Sequence, residues 1–260
     1  MPETPQAAEI MTIPCLSDNY AYLLHDPGTG ATAVVDVPQI APIEAALAAR
    51  DWILSDILIT HHHHDHIADV DALRRKTGAK VWGARADAHR LPALDYTVSE
   101  GDGVFIGQFR GDVIDVSGHS LGHVAYHFAQ AEAVFTGDSL MALGCGRLFE
   151  GDAKMMWNSL LKLRALSPDT KIYSGHEYTQ TNARFAQTIE PENAALKSRA
   201  DAIDKLRVHG QPTVPSILSV ECETNPFLRA DLPLIAAGLG MAGLDAASVF
   251  AELRARKDRF

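Results

Sequence analysis

Five histidines and one carboxylate occupy the seven residues Thr60-His61-His62-His63-His64-Asp65-His66. Neutral imidazole is the commonest metal-binding side chain, and an adjacent carboxylate oxygen suits zinc, iron or manganese. The run therefore reads as a metal site. A purification tag or a solvated loop is the competing explanation, but a tag sits at a terminus and carries no carboxylate among its histidines. Not all five imidazoles can bind one ion. Along an extended segment side chains alternate, so His61 and His63 share one side, His62 and His64 the other, and one of these pairs converges. Asp65 and His66 fall just beyond, with room for a second ion.

The apolar Ile57-Leu58-Ile59 ahead of the run reads as a short buried strand, within a longer strand predicted over Ile53 to Thr60. That puts the histidines in a loop at a strand end, where α/β sheets gather their chemistry. Upstream, strands are predicted at Ile10 to Ile13, Tyr20 to Leu24 and Ala31 to Val35, followed by Asp36, which either supports the site or serves as a turn residue. Pro42 suits the first turn of a helix carrying Ile43, Ala46 and Leu47. Downstream, Val70, Leu73 and Arg74 keep helical spacing to Gly78, and Lys80-Val81-Trp82 starts another strand. This β-α-β-α-β rhythm predicts a layered α/β fold.

Glu100-Gly101-Asp102-Gly103 interrupts the rhythm, and the closely spaced strands after it suggest antiparallel pairing. Their ends carry His119, in Ser117-Gly118-His119-Ser120, and Asp138, in Thr136-Gly137-Asp138-Ser139. Asp152 is a candidate cap for a helix that stops at Ser167-Pro168, and a short strand then leads into Ser174-Gly175-His176. In a two-sheet sandwich such ends can meet along one edge. Beyond His176 the pattern turns helical, from Pro191 to Gly210 and again after Asp245 through Val249, Phe250 and Leu253. Residues 1–174 are therefore expected to form a catalytic domain and 175–260 a helical one.

The 260-residue chain has a globular composition, 47% hydrophobic and 22% charged, and contains no apolar run long enough to span a bilayer. Its formal net charge of -10 argues against general affinity for nucleic-acid phosphates. Met1 to Ile10 has neither a basic n-region nor an apolar core, so no signal or transit peptide is expected there. Cys15, Cys145 and Cys222 are odd in number and widely spread. They form no disulfide framework, and a reducing cytoplasm is expected.

With Thr60-His61-x-His63-x-Asp65-His66, Gly118-His119, Gly137-Asp138 and Gly175-His176 in chain order, the sequence resembles the metallo-β-lactamase superfamily. Within it, the glyoxalase II or hydroxyacylglutathione hydrolase family is the nearest likeness. Phe135-Thr136-Gly137-Asp138-Ser139-Leu140, Gly144-Cys145-Gly146-Arg147, Gly175-His176-Glu177-Tyr178-Thr179, Asn225-Pro226-Phe227 and Lys257-Asp258 carry that narrower likeness. The resemblance implies an αββα sandwich with a C-terminal helical substrate-binding domain. It implies one ion on His61, His63 and His119, a second on Asp65, His66 and His176, and Asp138 bridging both. It further implies a water shared by ions about 3.5–4 Å apart, ionised near neutral pH, that attacks a thioester carbonyl with the support of Asp65 and Asp138.

The implied substrate is S-lactoylglutathione or another S-(2-hydroxyacyl)glutathione, giving glutathione and a 2-hydroxy acid such as D-lactate, a reaction of methylglyoxal detoxification. Glutathione carries two carboxylates, so an acidic protein needs a local basic pocket; the resemblance assigns it to Arg147, Arg254 and Lys257, with Tyr178 assisting. A solvated basic helix end is the competing explanation for the last two, and the match at the chain's end favours the substrate role. Phe149 stands where the family often has a tyrosine, which predicts weaker glutathione binding or altered acyl preference. His62, His64, His123 and His127 are not expected to ligate, Cys145 is expected to be structural rather than nucleophilic, and Trp52, Trp82 and Trp157 to pack. Zinc is the expected metal, with iron or manganese accepting the same ligands. A monomer acting on a small molecule, with no nucleic-acid or membrane partner, completes the expectation. The competing functions are a glutathione persulfide dioxygenase or a lactonase on the same scaffold, and a metal-binding module without catalysis.

Overall fold

The computed structural model describes residues 6–260; the expectation for Met1 to Ile10 falls in part on residues 1–5, outside the described residues. The chain forms two compact units. One runs to Asp115 and resumes over Gly122–Gly137, and the other comprises Val116–Leu121 and Asp138–Phe260.

In the first unit, β1 (Glu9–Cys15), β2 (Asn19–His25) and β3 (Thr32–Val35) pair antiparallel, with Ile13 opposite Ala21 and Leu23 opposite Val34. Helix α1 (Ile40–Arg50), β4 (Asp56–Leu58), the short α2 (His64–Ile67), α3 (Val70–Thr77), β5 (Lys80–Ala84) and β6 (Tyr96–Val98) follow. Strands β3 to β6 pair parallel in sequence order. Parallel neighbours need crossovers, and α1 and α3 supply those from β3 to β4 and from β4 to β5. Ile43 and Leu47 of α1 and Val70 and Leu73 of α3 are buried in one core with Leu23, Val34, Ile57, Ile59 and Val81. A second, antiparallel set consists of β7 (Gly103–Ile106), β8 (Phe109–Asp115), β9 (Val124–Phe128) and β10 (Ala133–Gly137). The two sets pack face to face: the Tyr22 ring lies 5.6 Å from Phe135, and the Tyr126 hydroxyl donates to the Ile59 carbonyl at 2.8 Å.

In this unit two local expectations change. The predicted strand over Ile53 to Thr60 shrinks to β4, because Ile53 faces solvent and the Thr60 N–H donates to the Asp36 side chain instead of a neighbouring strand. The His run is not extended throughout. His63 is the N-cap of α2, whose first turn closes with His66 N donating to His63 O at 2.9 Å, so alternation ends at His63.

In the second unit, β11 (Leu140–Met141) and β12 (Gly144–Cys145) make a small hairpin. Helix α4 (Ala153–Arg164), β13 (Lys171–Ser174), α5 (Thr179–Ile189), α6 (Ala194–Val208), β14 (Ser216–Ile217), α7 (Leu218–Thr224), α8 (Pro233–Gly238) and α9 (Ala246–Arg259) follow, with β13 and β14 paired antiparallel. Asp152 and Asp245 cap α4 and α9 as predicted, accepting from Met155 N and from Ala247 N and Ser248 N. The helix predicted from Pro191 starts later, because Asn193 is the residue whose side chain accepts from Leu196 N. Ala183 and Ala186 of α5 pack with Leu196, Ala200 and Ile203 of α6 around Leu143 of the hairpin. Among the described residues no helix is long and apolar enough to cross a membrane.

Candidate metal centre

In the first unit the histidines are fixed from behind by Asp36. It sits just past β3 at a left-handed φ of 57°, 2% exposed. Its Oδ1 accepts from Thr60 N at 2.8 Å, and its Oδ2 accepts from Thr60 Oγ1 at 2.7 Å and lies 2.8 Å from His66 Nδ1. Asp36, His61 and His66 can bring ligand atoms within 4.8 Å of one another, but the hydrogen bonds already made to both Asp36 oxygens fit a supporting role. They fix the His66 proton on Nδ1 and leave Nε2 with the lone pair that a cation would take.

His61 is fully buried, its Nδ1 3.0 Å from Thr60 Oγ1 and its Nε2 3.1 Å from His63 Nδ1. Asp65 is held by Asn19, whose Nδ2 donates to the Asp65 carbonyl at 3.1 Å and to its Oδ2 at 3.0 Å. The same Oδ2 lies 3.7 Å from His66 Nε2. The other histidines have different occupations. His62 Nδ1 is 2.8 Å from Oδ2 of the buried Asp87, His64 is exposed, and His123 stacks on His61 with centroids 4.5 Å apart. His127 lies on β9, where partial burial lowers its pKa.

In the second unit, His119, Asp138 and His176 each follow a strand, after β8, β10 and β13 respectively. Asp138 Oδ2 lies 3.5 Å from His119 Nε2 and 3.3 Å from His176 Nε2. His119 Nδ1 is 2.8 Å from the Arg147 carbonyl, which fixes the tautomer and turns Nε2 toward Asp138. Its loop is tied down by Ser159 Oγ donating to Ser117 O at 2.6 Å and Leu121 N donating to Glu150 Oε2 at 2.8 Å. Gly118, at φ 148°, has no room for a Cβ against Met156, and a Cβ on Gly146 would press on the Asp138 backbone. The Tyr178 ring stacks on His176, with centroids 4.7 Å apart and planes 4° from parallel.

These donors fit a cation. Ligands about 2.0–2.1 Å from a tetrahedral metal lie about 3.3–3.4 Å from each other. The four separations, 3.1 and 3.7 Å in the first unit and 3.5 and 3.3 Å in the second, bracket that value. Nitrogen and carboxylate donors of this kind bind divalent metal ions.

The residues implied for the substrate all lie in the second unit. Arg147 and Phe149 are exposed, with the Phe149 ring edge-on to His119 at 5.2 Å, and Tyr178 is also exposed. Arg254 is no solvated helix end: it is 5% exposed, donating to Cys145 O at 2.8 Å and Asp258 Oδ1 at 3.1 Å. Lys257 donates to Thr181 O at 3.2 Å and lies over the Phe185 and Phe260 rings. Burial, and then the charges of Arg254 and Arg147, lower its pKa to about 8. Burial pushes the Cys145 thiol up to about 11, which removes it as a nucleophile at neutral pH. Trp157 is buried against Phe250, while Trp52 and Trp82 are half-buried. Sequence reasoning missed Asn19, Asp87, Tyr126 and Glu150, whose partners are remote in sequence. Asn19, the first residue of β2, carries no sequence signal of that role.

A family model described as Metallo-beta-lactamase superfamily matches residues 18–176, and one described as Hydroxyacylglutathione hydrolase C-terminus matches residues 177–260. The chain is 63% identical to a hydroxyacylglutathione hydrolase of Jannaschia sp. over 252 residues, 97% of this chain and 98% of that one. It is 61% identical to a hydroxyacylglutathione hydrolase of Cereibacter sphaeroides, over 97% of this chain and 99% of that one. Among solved structures, ETHE1 from Myxococcus xanthus has a TM-score of 0.69 at 24% identity, covering 96% of this chain and 90% of that one, a likeness of fold. Ligand-capable strand ends, a helical C-terminal region and near-full-length relatives lead to one conclusion: the chain belongs to the hydroxyacylglutathione hydrolase family of the metallo-β-lactamase superfamily.

Proposed function

We propose that the chain hydrolyses S-(2-hydroxyacyl)glutathione thioesters, with S-lactoylglutathione giving glutathione and D-lactate, at a centre of two zinc ions. His61, His63 and His119 would hold one ion, Asp65, His66 and His176 the other, and Asp138 both. The observation that carries this reading is one Asp138 oxygen within 3.5 Å of one imidazole nitrogen and 3.3 Å of another, the disposition of a shared ligand. Bound ions of this kind acidify a water to near neutrality and polarise a carbonyl. Iron or manganese would suit the same donors.

The protein's own part is orientation. Asp36 and the Arg147 carbonyl keep ring protons on the far nitrogens of His66 and His119, and Asn19 steadies Asp65. Arg147 and Lys257 offer positive charge to glutathione carboxylates, and the Tyr178 hydroxyl offers a donor beside His176. A thiolate with a conjugate pKa of about 8.5, by analogy with cysteine, departs without a dedicated general acid. No serine or cysteine nucleophile is needed. The reaction domain is assigned to residues 1–174 and glutathione recognition chiefly to 175–260, in a cytoplasmic monomer. The shared naming of near-full-length relatives disfavours a persulfide dioxygenase or a lactonase.

The test is S-lactoylglutathione hydrolysis and metal content on one purified sample, with His61→Ala alongside. Turnover with about two metals per chain, lost in the variant, is expected. Two metals without turnover would overturn the substrate, and turnover that survives complete chelation would overturn the metal centre.

A further inference from the structure

The hairpin β11–β12 joins two parts of the metal-binding group. It begins two residues after Asp138 and ends two residues before Arg147, whose carbonyl fixes the His119 ring. Gly146 N donates to Ser139 O at 3.0 Å, closing its base. A ladder of two residues per strand has little rigidity of its own. At its tip Leu143 adopts φ 56°, a conformation leucine rarely takes and which persists only where the surroundings enforce it.

The enforcement comes from side chains of the helical region, which grip successive peptide groups. Asn225 Nδ2 donates to Met141 O at 3.1 Å and to Gly144 O at 3.0 Å. Asn182 Nδ2 donates to Ala142 O at 3.0 Å, Arg254 donates to Cys145 O at 2.8 Å, and Glu221 Oε2 accepts from Leu143 N at 2.8 Å. Glu221 and Asn225 are completely buried. Glu221 is locked in turn by Arg199 and by Asn225, and Asn225 Oδ1 accepts from Phe227 N. Four carbonyls and one N–H of a six-residue segment are thus bound by side chains from four places in the helical region. Fastening of this density exceeds what a surface turn requires.

We infer that Asn225 and Glu221, with Asn182, are positioning residues for the metal centre, acting through the hairpin on Asp138 and on the Arg147 carbonyl that orients His119. The helical region then builds the metal-binding group as well as contributing to the substrate pocket. This rests on the metal reading given above.

The experiment compares wild type, Asn225→Ala, Glu221→Gln and a packing control, Val249→Ala on α9. Zinc affinity is measured by chelator competition, kcat and KM are measured with S-lactoylglutathione at saturating zinc, and the melting temperature is followed. Glu221→Gln keeps the side chain's shape but has one acceptor oxygen, so its NH2 must oppose either the Arg199 guanidinium or the Leu143 and Asn225 donors; it loosens the clamp and carries the test if Asn225→Ala does not fold. Zinc affinity in the network variants is expected to fall about tenfold, as for other partners outside the coordination shell, with kcat reduced and KM within about twofold. Val249→Ala is expected to lower the melting temperature without changing zinc affinity. Unchanged zinc affinity and kcat in Glu221→Gln would overturn the inference. So would a rise in KM alone, or an equal loss of affinity in the packing control. A wild-type protein that binds no zinc would instead overturn the metal reading itself.

Discussion

Replacing Asp36 by asparagine isolates the role of one buried carboxylate. Asparagine has the same shape and tolerates the left-handed backbone that Asp36 adopts, so the substitution changes hydrogen bonding more than the chain path. The native carboxylate accepts three contacts, from Thr60 N, Thr60 Oγ1 and His66 Nδ1. An amide has one acceptor oxygen and one donor NH2. With its oxygen kept toward Thr60 N, the NH2 faces His66 Nδ1, which must then become the acceptor. The ring proton moves to Nε2, the atom through which His66 would hold a cation. With the amide turned the other way, two N–H donors oppose each other at Thr60 and the strand end loses its anchor. Loss of such a partner typically weakens metal binding by about 10–100-fold, and that range corresponds to about 1.4–2.8 kcal/mol. Chelator competition for zinc and thermal unfolding of the zinc-free protein are the two assays. A melting temperature that falls while zinc affinity stays at the wild-type level would refute the tautomer reasoning and leave Asp36 as a strand-end fastener.

Three further outcomes are expected. Lys257 is charged below about pH 8 and neutral above it, because burial and the neighbouring arginines lower its pKa; KM for a glutathione thioester should rise through that pH, and Lys257→Met should show a high, flat KM. Binding near pH 8 should also take up protons, which calorimetry in buffers of different ionisation enthalpy would detect; no uptake removes Lys257 from the carboxylate contact. Phe149→Tyr should lower KM for S-lactoylglutathione or shift the preference among acyl groups, and identical kinetics across thioesters would remove that idea. Gly146→Ala should reduce zinc affinity and kcat by more than about tenfold, since its Cβ would press on backbone at Asp138. Gly238→Ala, with open space around it, should change neither, and zinc titration of the pair would decide.

What the sequence makes legible is what is periodic or adjacent. The β-α-β-α-β rhythm is visible because α1 and α3 bury residues at helical spacing, and the caps at Asp152 and Asp245 sit one residue before their helices. His61, His63, Asp65 and His66 stand out because one loop carries them all. His119, Asp138 and His176 are candidates only as polar residues at strand ends. Supporting residues leave almost no trace. Asn19 reaches Asp65 across 46 positions, His62 reaches Asp87 across 25, and Tyr126 reaches Ile59 across 67. Helix α5 also escapes, because Thr179-Gln180-Thr181-Asn182 is a weak helix start stabilised by its packing on α6. The His run misleads in one respect, since capping of a one-turn helix at His63 overrides the alternation of an extended chain.

Burial of the thiols has a consequence for an enzyme that would release glutathione at every turnover. Thiol–disulfide exchange proceeds through a thiolate, so a protein cysteine is captured as a mixed disulfide only when it ionises and can be reached. Cys15 and Cys145 are buried, and that burial pushes both thiols up to about 11. Cys222, half-buried, is also raised, again chiefly by burial. The catalyst is thereby insulated from the disulfide that its thiol product forms on oxidation, and its turnover should persist in a glutathione pool that has become partly oxidised.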